Sequence, residues 1–301
     1  MTARRRWRFA ARLALVLVLA GLTVPNAEVR PATFSLTKVE SAKDVDFSDG
    51  VVWILALGSD ARPGQDVLEG NSDAIQLVGL DLASGRAAGI GIPRDSWLEI
   101  PGHGLDRINQ AMSLGGQDLT ADVVADLVGI QPNYVFVAGF DGFREMVDTI
   151  GGVVVQSDRA FRDDEFDLDV RKGPNEFNGT EALDYTRTRQ LPASDFARSA
   201  NQQGTMLGIL EGLRADEDEE GFMERGTLAA LSGLDTNLGP TELYRLAQAV
   251  TLIRPDRVET CVLTGNTGET SGGALVVFLD GARVRQIGAD VREDLRFDEG
   301  C

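Results

Sequence analysis

The amino-acid sequence predicts an α/β protein in which helices cover both faces of a mostly parallel sheet. Short apolar runs, typical of buried strands, alternate with longer segments whose apolar residues recur at helical spacing. Strand–helix alternation of this kind indicates a sheet packed between layers of helices. The 301 residues, 43% of them hydrophobic, are enough for one large domain.

The first predicted strands are residues 51–58 (VVWILALG) and 74–80 (AIQLVGL). The turn DLASGR then leads into the run AAGIGIP, which predicts a hairpin. Two further apolar runs, residues 133–140 and the segment VVVQ, complete the strands predicted in the first half of the chain.

Helical spacing predicts several helices. The segment DGFREMVDTIGG should end at Gly151 and Gly152, because a left-handed C-cap favours a residue without Cβ. A long helix should begin near Ser194 or Asp195, either of which can cap its first turn. The other predicted helices cover residues 119–130, 222–231 and 241–253, and the segment 274–291 reads as a strand followed by a helix.

The charge balance argues against one class of binding partner. With 47 acidic and 29 basic residues, the net charge is −18. A field of this sign repels polyphosphates, so a nucleic-acid partner is not expected.

The N-terminus predicts export. Five arginines (Arg4, Arg5, Arg6, Arg8 and Arg12) precede an apolar run over residues 13–24. Positive charge is retained on the cytoplasmic side, so the rest of the chain should lie outside the cell membrane, held by a single N-terminal anchor. A cleaved signal peptide is the alternative. We therefore divide the chain into a basic tail and anchor (1–27), a polar linker (28–50) and an α/β domain (51–301).

The chain has two cysteines, Cys261 and Cys301. In an exported protein they can form one disulfide that ties the C-terminus to the domain. The alternative is one buried thiol and one terminal thiol.

Charged residues cluster at the ends of predicted elements. Asp60 and Arg62 follow the first strand, Asp73 begins the second, and Arg94 and Asp95 follow the run GIP. A fourth cluster, DYTRTRQLPASDFARSANQQ, contributes three arginines: Arg187, Arg189 and Arg198. Ligands of α/β sheets bind at strand ends, so these clusters are expected to converge on one crevice.

Arginines with aspartates, in the absence of a histidine or cysteine cluster, suit a pyrophosphate bound with a divalent metal. A guanidinium fork matches phosphate oxygens, and Mg²⁺ takes one or two carboxylates together with phosphate oxygens. The alternative is that these residues form ordinary surface ion pairs, which contribute little to stability.

Six segments together resemble the LytR-CpsA-Psr family of cell-envelope glycopolymer transferases. In order, they are GSDARPGQ, SDAIQLVGLDLASGR, GIPRDSWLEIPG, DRINQAMSLGG, FDGFREMVDTIGGV and ALDYTRTRQLPASDFARSANQQ. The resemblance implies a three-layer α/β/α sandwich with an apolar lipid-binding cavity. It also implies transfer of a glycopolymer from a polyprenyl-pyrophosphate carrier to peptidoglycan.

The resemblance assigns roles to individual residues. Asp60 and Asp73 match the acids associated with Mg²⁺, and Arg94, Asp95 and Asp60 are the expected catalytic residues. The expected pyrophosphate-binding residues are Arg62, Arg94, Arg107, Arg187, Arg189, Arg198 and Gln202. Arg107 stands where the family often has lysine, and Asn201 stands where it often has arginine.

Two other functions fit the same residues. One is a hydrolase that releases phosphate from polyprenyl pyrophosphates with water as the acceptor. The other is a polyisoprenoid-binding carrier or regulatory envelope protein without turnover. Retention of both Asp60 and Asp73 favours an enzyme, because a binding protein has less need of a metal.

Overall fold

The computed structural model describes residues 32–39, 50–62, 64–215, 234–298 and 300–301. The predicted anchor and the predicted helix at 222–231 lie outside these residues. Among the helices that are described, none is long and apolar enough to cross a membrane.

The described residues form fifteen strands and six α-helices. In chain order the strands are β1 (Phe34–Lys38), β2 (Val51–Ser59), β3 (Ser72–Asp81), β4 (Arg86–Gly91), β5 (Trp97–Ile100), β6 (Gly104–Arg107), β7 (Tyr134–Ala138), β8 (Val153–Ser157), β9 (Phe161–Asp163), β10 (Leu168–Val170), β11 (Gly173–Phe177), β12 (Leu234–Thr236), β13 (Val258–Val262), β14 (Gly265–Glu269) and β15 (Leu275–Leu279). The helices are α1 (Gln110–Val128), α2 (Phe140–Thr149), α3 (Gly179–Arg187), α4 (Ser194–Ala215), α5 (Pro240–Leu252) and α6 (Gly281–Asp294).

Seven strands form the central sheet, in the spatial order β12-β1-β7-β2-β3-β4-β13. The prediction of a mostly parallel sheet is wrong. The β1–β12, β2–β7 and β4–β13 pairs are parallel, whereas β1–β7, β2–β3 and β3–β4 are antiparallel. The sheet is therefore mixed. The alternation rule failed because it counted β8 and β15, which pair with β11 and β14 in separate two-stranded sheets.

The sheet also begins earlier than predicted. Strand β1 lies within the segment assigned to a linker, residues 28–50, and pairs with both β12 and β7. Its sequence, FSLTK, is short and half polar, and apolar periodicity alone does not mark it as a strand.

Several elements confirm the sequence predictions. Strands β3 and β4 form the hairpin around the predicted turn. Helix α2 ends before Gly151 and Gly152, which both have left-handed backbone angles (φ 81° and 102°). The long helix α4 begins at Ser194. Helix α1 begins earlier than predicted, because it continues across a kink at Gly115 and Gly116.

The two faces of the sheet are packed differently. On one face, alternate side chains such as Leu55, Leu57 and Leu77 are fully buried in the main core. Valines and isoleucines of α1 and α6 complete that core: Val123, Val124, Val128, Val284, Ile287 and Val291. On the other face, the intervening side chains, among them Ile54 and Val78, line a cavity and also pack against two smaller buried clusters.

A disulfide joins Cys261 in β13 to Cys301 at the C-terminus, with Cα atoms 5.4 Å apart. Cys261 is buried beside β4, whereas Cys301 is exposed. The bond therefore fixes the C-terminus to an edge strand of the central sheet.

Replacing Cys301 by serine should lower the free energy of unfolding by about 2–4 kcal/mol, because the bond closes a loop of 40 residues that is otherwise free in the unfolded chain. Denaturant unfolding of the soluble domain measures the difference. Reductant should destabilise the wild type to the same midpoint and leave Cys301→Ser unchanged. A reductant effect of equal size on both proteins would contradict the assignment.

Candidate functional site

Several of the predicted site residues meet at one end of three antiparallel strands. Asp60 follows the end of β2, Asp73 lies at the start of β3, and Arg94 and Asp95 follow the end of β4. Since β3 runs antiparallel to both neighbours, the end of β2, the start of β3 and the end of β4 share one sheet edge. The charged clusters after β2, at the start of β3 and after β4 therefore converge as expected, because these strands pair in the antiparallel direction.

Arg94 lies at the centre of this group. Its Nη1 donates a hydrogen bond to Oδ1 of Asp73, and its Nε lies 3.8 Å from Oδ2 of Asp95. Nη1 of Arg107 approaches the other oxygen of Asp95 at 3.5 Å. Burial by itself lowers the pKa of Arg94, but the Asp73 and Asp95 carboxylates outweigh that effect and raise it. Arg94 therefore keeps its charge.

Helix α4 contributes the second buried arginine, Arg198. Its side chain is only 6% exposed, and its Nη2 lies 2.9 Å from Oδ1 of Asp195. Burial lowers the pKa of Arg198, and the positive charge of Arg94 lowers it further. Two guanidinium groups thus repel each other at a site where water screens them weakly. A bound anion would relieve this repulsion.

Asp60 holds the loop that leaves β2. Its Oδ1 accepts a hydrogen bond from the backbone N–H of Asn71 at 2.6 Å, and its own N–H donates to the Asn71 carbonyl at 3.0 Å. Arg62 follows on this loop and is exposed, with its backbone N–H bound by Oε1 of Gln65 at 2.8 Å.

Arg187 and Arg189 lie apart from the central group. The Arg187 guanidinium lies over the rings of Phe140 and Phe166, 4.6 and 5.0 Å from their centroids, which is cation–π geometry. Arg189 is exposed. Within the described part of the chain, neither arginine, nor Arg62, shares a hydrogen bond or ion pair with the aspartates of the site.

Gln202 binds the backbone next to the site. Its Nε2 donates to the carbonyls of Asp73 and Thr186, both at 3.4 Å, and its Oε1 accepts from Nε2 of Gln76 at 3.1 Å. Asn201 points away, donating to the carbonyl of Tyr185 at 3.2 Å. The glutamine thus joins α4 to the strand that presents Asp73.

Buried polar atoms without partners concentrate at this site. Among the described side chains, six buried nitrogen or oxygen atoms have no hydrogen-bond partner. Four of them belong to residues of the site or its immediate surroundings: Gln76 Oε1, Arg94 Nε, Asp95 Oδ1 and Asn109 Oδ1. Each unpaired buried group costs about 1–3 kcal/mol. A polar ligand that pairs them would recover part of this cost.

Sequence reasoning missed Gln76 and Asn109. Gln76 is 2% exposed, and a glutamine in the middle of the apolar run AIQLVGL was a signal for a buried polar group. Asn109 was visible only as a neighbour of Arg107. Its backbone carbonyl accepts from the N–H of Ser72, and its N–H donates to the carbonyl of Arg94, so it joins two strand ends.

The acidic residues fit Mg²⁺ in the kind of donor that they supply. Asp60 and Asp73 offer carboxylate oxygens only, and the Arg94 contact of Asp73 uses Oδ1. In the described residues, no group of three or more acidic, histidine or cysteine side chains is arranged to hold a metal by itself. Such a donor set suits a Mg²⁺ ion that binds together with phosphate oxygens and water.

The apolar cavity adjoins this site. It has a volume of about 810 Å³ and lies between the sheet and helices α4 and α5. Gln76 lines the cavity and also bonds to Gln202 and to Oγ of Ser199, so it connects the cavity wall to the arginine group. Gly91 permits this close packing, because a Cβ there would lie 2.3 Å from Oγ of Ser199.

Comparison with known proteins gives a consistent result. The profile of the LytR_cpsA_psr family matches residues 26–293. Polyisoprenyl-teichoic acid–peptidoglycan teichoic acid transferase TagU from Bacillus cereus is 33% identical over 196 residues, which cover 64% of this chain and 62% of TagU. The chain thus aligns to less than two thirds of that relative. TagT from Bacillus subtilis (strain 168) is 28% identical, over 97% of this chain and 95% of TagT.

Solved structures share the fold and carry ligands. TagT bound to LI-WTA aligns with a TM-score of 0.67 at 27% identity, covering 86% of this chain and 96% of that one. TagT with bound octaprenyl pyrophosphate lipid aligns with a TM-score of 0.65 at 25% identity, over 86% and 95% of the two chains. From the extent of the profile match, which spans the sheet, the arginine site and the cavity, this chain belongs to the LytR_cpsA_psr family.

Proposed function

We propose that this protein transfers a phosphorylated glycopolymer from a polyprenyl-pyrophosphate carrier to a hydroxyl of peptidoglycan. The observation that supports this proposal is that a charged site lies directly beside an apolar cavity. A group of arginines and aspartates with unpaired polar atoms adjoins an apolar cavity of about 810 Å³. A pyrophosphate joined to a polyprenyl chain has this same combination of charge and apolar length.

Relatives support the same reaction class. TagT and TagU are named as teichoic acid transferases, and TagT structures contain a lipid-linked ligand or octaprenyl pyrophosphate. We extend the reaction class to this chain.

The chain's own residues would act mainly by positioning and by charge compensation. Arg94, Arg107 and Arg198 would bind pyrophosphate oxygens, and the polyprenyl chain would lie in the cavity. The hydroxyl would lose its proton to a carboxylate of the site as its oxygen attacks the phosphorus nearest the sugar, and the bridging P–O bond would break as polyprenyl phosphate leaves. The arginines would offset the charge that builds on the bridging oxygen.

Asp60 and Asp73 would hold Mg²⁺, which supplies additional positive charge next to the phosphates. Three further arginines lie outside the central contact group: Arg62, Arg187 and Arg189. We propose that they bind outlying phosphate oxygens or the glycan. We also propose that residues 1–27 anchor the chain in the cell membrane, with the domain extracytoplasmic, as the arginine-rich N-terminus suggests.

Arg94→Ala should lower the rate of transfer by about 10²–10³-fold, because it removes a charged donor aimed at the developing negative charge. The measurement is Mg²⁺-dependent release of polyprenyl phosphate from a lipid-linked substrate, with peptidoglycan supplied. Arg162→Ala is the matched control, since Arg162 also pairs with aspartates but lies on an exposed hairpin.

The outcomes of that comparison separate the candidate functions. Transfer by the wild type, lost in folded Arg94→Ala and kept in Arg162→Ala, supports the transferase. Phosphate release that does not respond to added peptidoglycan would support the hydrolase instead. Lipid binding without release would support the carrier. Circular dichroism of each variant checks that it folds.

The cavity should select for polyprenyl chain length. Ala247 lies in the cavity wall on α5, so Ala247→Trp should fill part of the volume. We expect it to reduce turnover of a long-chain polyprenyl substrate at least tenfold more than that of a two-isoprene analogue. Tyr244→Trp, on the exposed face of the same helix, is the control. Equal losses for both chain lengths would contradict the placement of the lipid.

A further inference from the structure

Helix α3 ends beside the arginine site. Nε2 of Gln202 donates to two carbonyls, those of Asp73 and Thr186, both at 3.4 Å. One amide nitrogen therefore joins the strand that presents Asp73 to the residue directly before Arg187, which is the last residue of α3. The backbone of Arg187 thus lies next to the site, although its guanidinium pairs with none of the aspartates there.

Two aromatic rings hold the guanidinium of Arg187. Phe140 begins α2, and Phe166 lies between β9 and β10. Their ring centroids lie 4.6 and 5.0 Å from the guanidinium carbon. No hydrogen bond or ion pair joins this guanidinium to another described residue. The rings therefore restrain the charged group without an oxygen acceptor, and its fork of N–H donors is left for the oxygens of a ligand.

The β9–β10 hairpin also holds the backbone next to Arg187. Asp163, at the end of β9, is 1% exposed. Its Oδ2 accepts a hydrogen bond from Oγ1 of Thr188, the residue after Arg187, and its Oδ1 accepts from the N–H of Glu165 at 3.0 Å. The hairpin thus contacts the side chain of Arg187 through Phe166 and the adjoining backbone through Asp163.

The outer face of the same hairpin takes no part in these contacts. Arg162 precedes Asp163 in β9, and successive side chains of a strand point to opposite faces. Its side chain is 49% exposed and pairs with three exposed aspartates, Asp164, Asp167 and Asp169. Exposed ion pairs contribute little to stability, so Arg162 provides a control on the same strand.

We propose that two aromatic rings and a buried carboxylate position Arg187 to bind an oxyanion of the substrate. The positioning residues are Phe140, Phe166 and Asp163. The inference rests on the proposed function, in which Arg187 binds outlying phosphate oxygens or the glycan. An arginine that is free in solution loses rotamer freedom when it binds, whereas a pre-positioned one has already lost it. The hairpin therefore increases affinity for the substrate and takes no part in the chemical step.

The test is a double-mutant cycle on substrate affinity, with the full-length chain in detergent. The dissociation constant of a polyprenyl pyrophosphate is measured with Mg²⁺ and without peptidoglycan. Arg187→Ala should weaken binding by about 10–100-fold, because it removes charged hydrogen-bond donors. Phe166→Leu should weaken binding by about 2–10-fold, and it should have no effect when residue 187 is already alanine.

Variants of Thr188 test the second contact separately. Thr188→Val keeps the shape of the side chain and removes the hydroxyl that Asp163 binds, so affinity should fall by about 2–10-fold. Thr188→Ser keeps the hydroxyl and should bind like the wild type, as should Arg162→Ala. Circular dichroism checks that each variant folds.

A second lipid, which carries a phosphorylated glycan on its pyrophosphate, locates the oxyanion. If Arg187→Ala weakens binding of both lipids, the oxyanion belongs to the pyrophosphate. If it weakens binding of the glycan-linked lipid alone, the oxyanion belongs to the glycan, and the cycle is evaluated with that lipid. Both results support the positioning role.

The cycle separates this role from a merely structural one, because a structural defect weakens binding by the same factor whether or not Arg187 is present. Equal effects of Phe166→Leu in both backgrounds would overturn the proposal. So would wild-type affinity of Arg187→Ala for both lipids, or wild-type affinity of folded Thr188→Val. If the wild type transfers glycopolymer and the cycle is additive, only the positioning role is refuted. If the cycle holds but folded wild type transfers nothing to peptidoglycan, the proposed function fails and the positioning role stands.

Discussion

Repulsion between the buried guanidinium groups of Arg94 and Arg198 is the constraint on which the rest of the site depends. Arg94 lies on the loop after β4, and Arg198 lies in α4. Each forms an ion pair with its own aspartate, Asp73 for Arg94 and Asp195 for Arg198. These pairs do not remove the repulsion, since Arg94 still lowers the pKa of Arg198. Besides these ion pairs, the fold therefore needs neutral contacts that hold the elements carrying the two arginines together.

Backbone and amide contacts serve that purpose. Antiparallel pairing of β3 with both neighbours places three strand ends together, and the carbonyl and N–H of Asn109 join two of them. Gln202 and Gln76 tie α4 to β3 through neutral hydrogen bonds. Gly91 lets α4 approach β4 closely. The charged groups can then face the position where a ligand would lie.

Local sequence pattern predicted the elements better than their assembly. The β3–β4 hairpin and helices α2 and α4 follow from local features, namely apolar periodicity, turn residues and glycines. Each of these features lies within a few residues of the element that it predicts. The sheet order does not, because pairing partners are set by tertiary contacts far apart in sequence. Strand β1 illustrates the difference: five residues, three of them polar, become a strand only because β7 and β12 flank them.

The site was predictable to the extent that its charges stand at element ends. Arg94, Asp95, Asp60, Asp73 and Arg198 could be named from sequence because aspartate and arginine beside buried strands are conspicuous. The role of Asn109 was not accessible in this way, since it depends on which strand ends lie next to each other in the folded sheet. Arg187 shows the converse. It stands in the richest arginine cluster of the sequence, yet it contacts two aromatic rings instead of the aspartates.

The site has an energetic cost that packing elsewhere in the fold has to offset. Unpaired buried polar atoms each cost about 1–3 kcal/mol, against a total stability of about 5–15 kcal/mol for a typical protein. Ala193, directly before α4, also has a left-handed backbone (φ 60°), an unfavourable conformation for a residue with a Cβ. The fully packed face of the sheet offsets these costs, with Leu55, Ile75 and Leu77 completely buried. The opposite face carries only two smaller buried clusters, and the space that they leave forms the cavity.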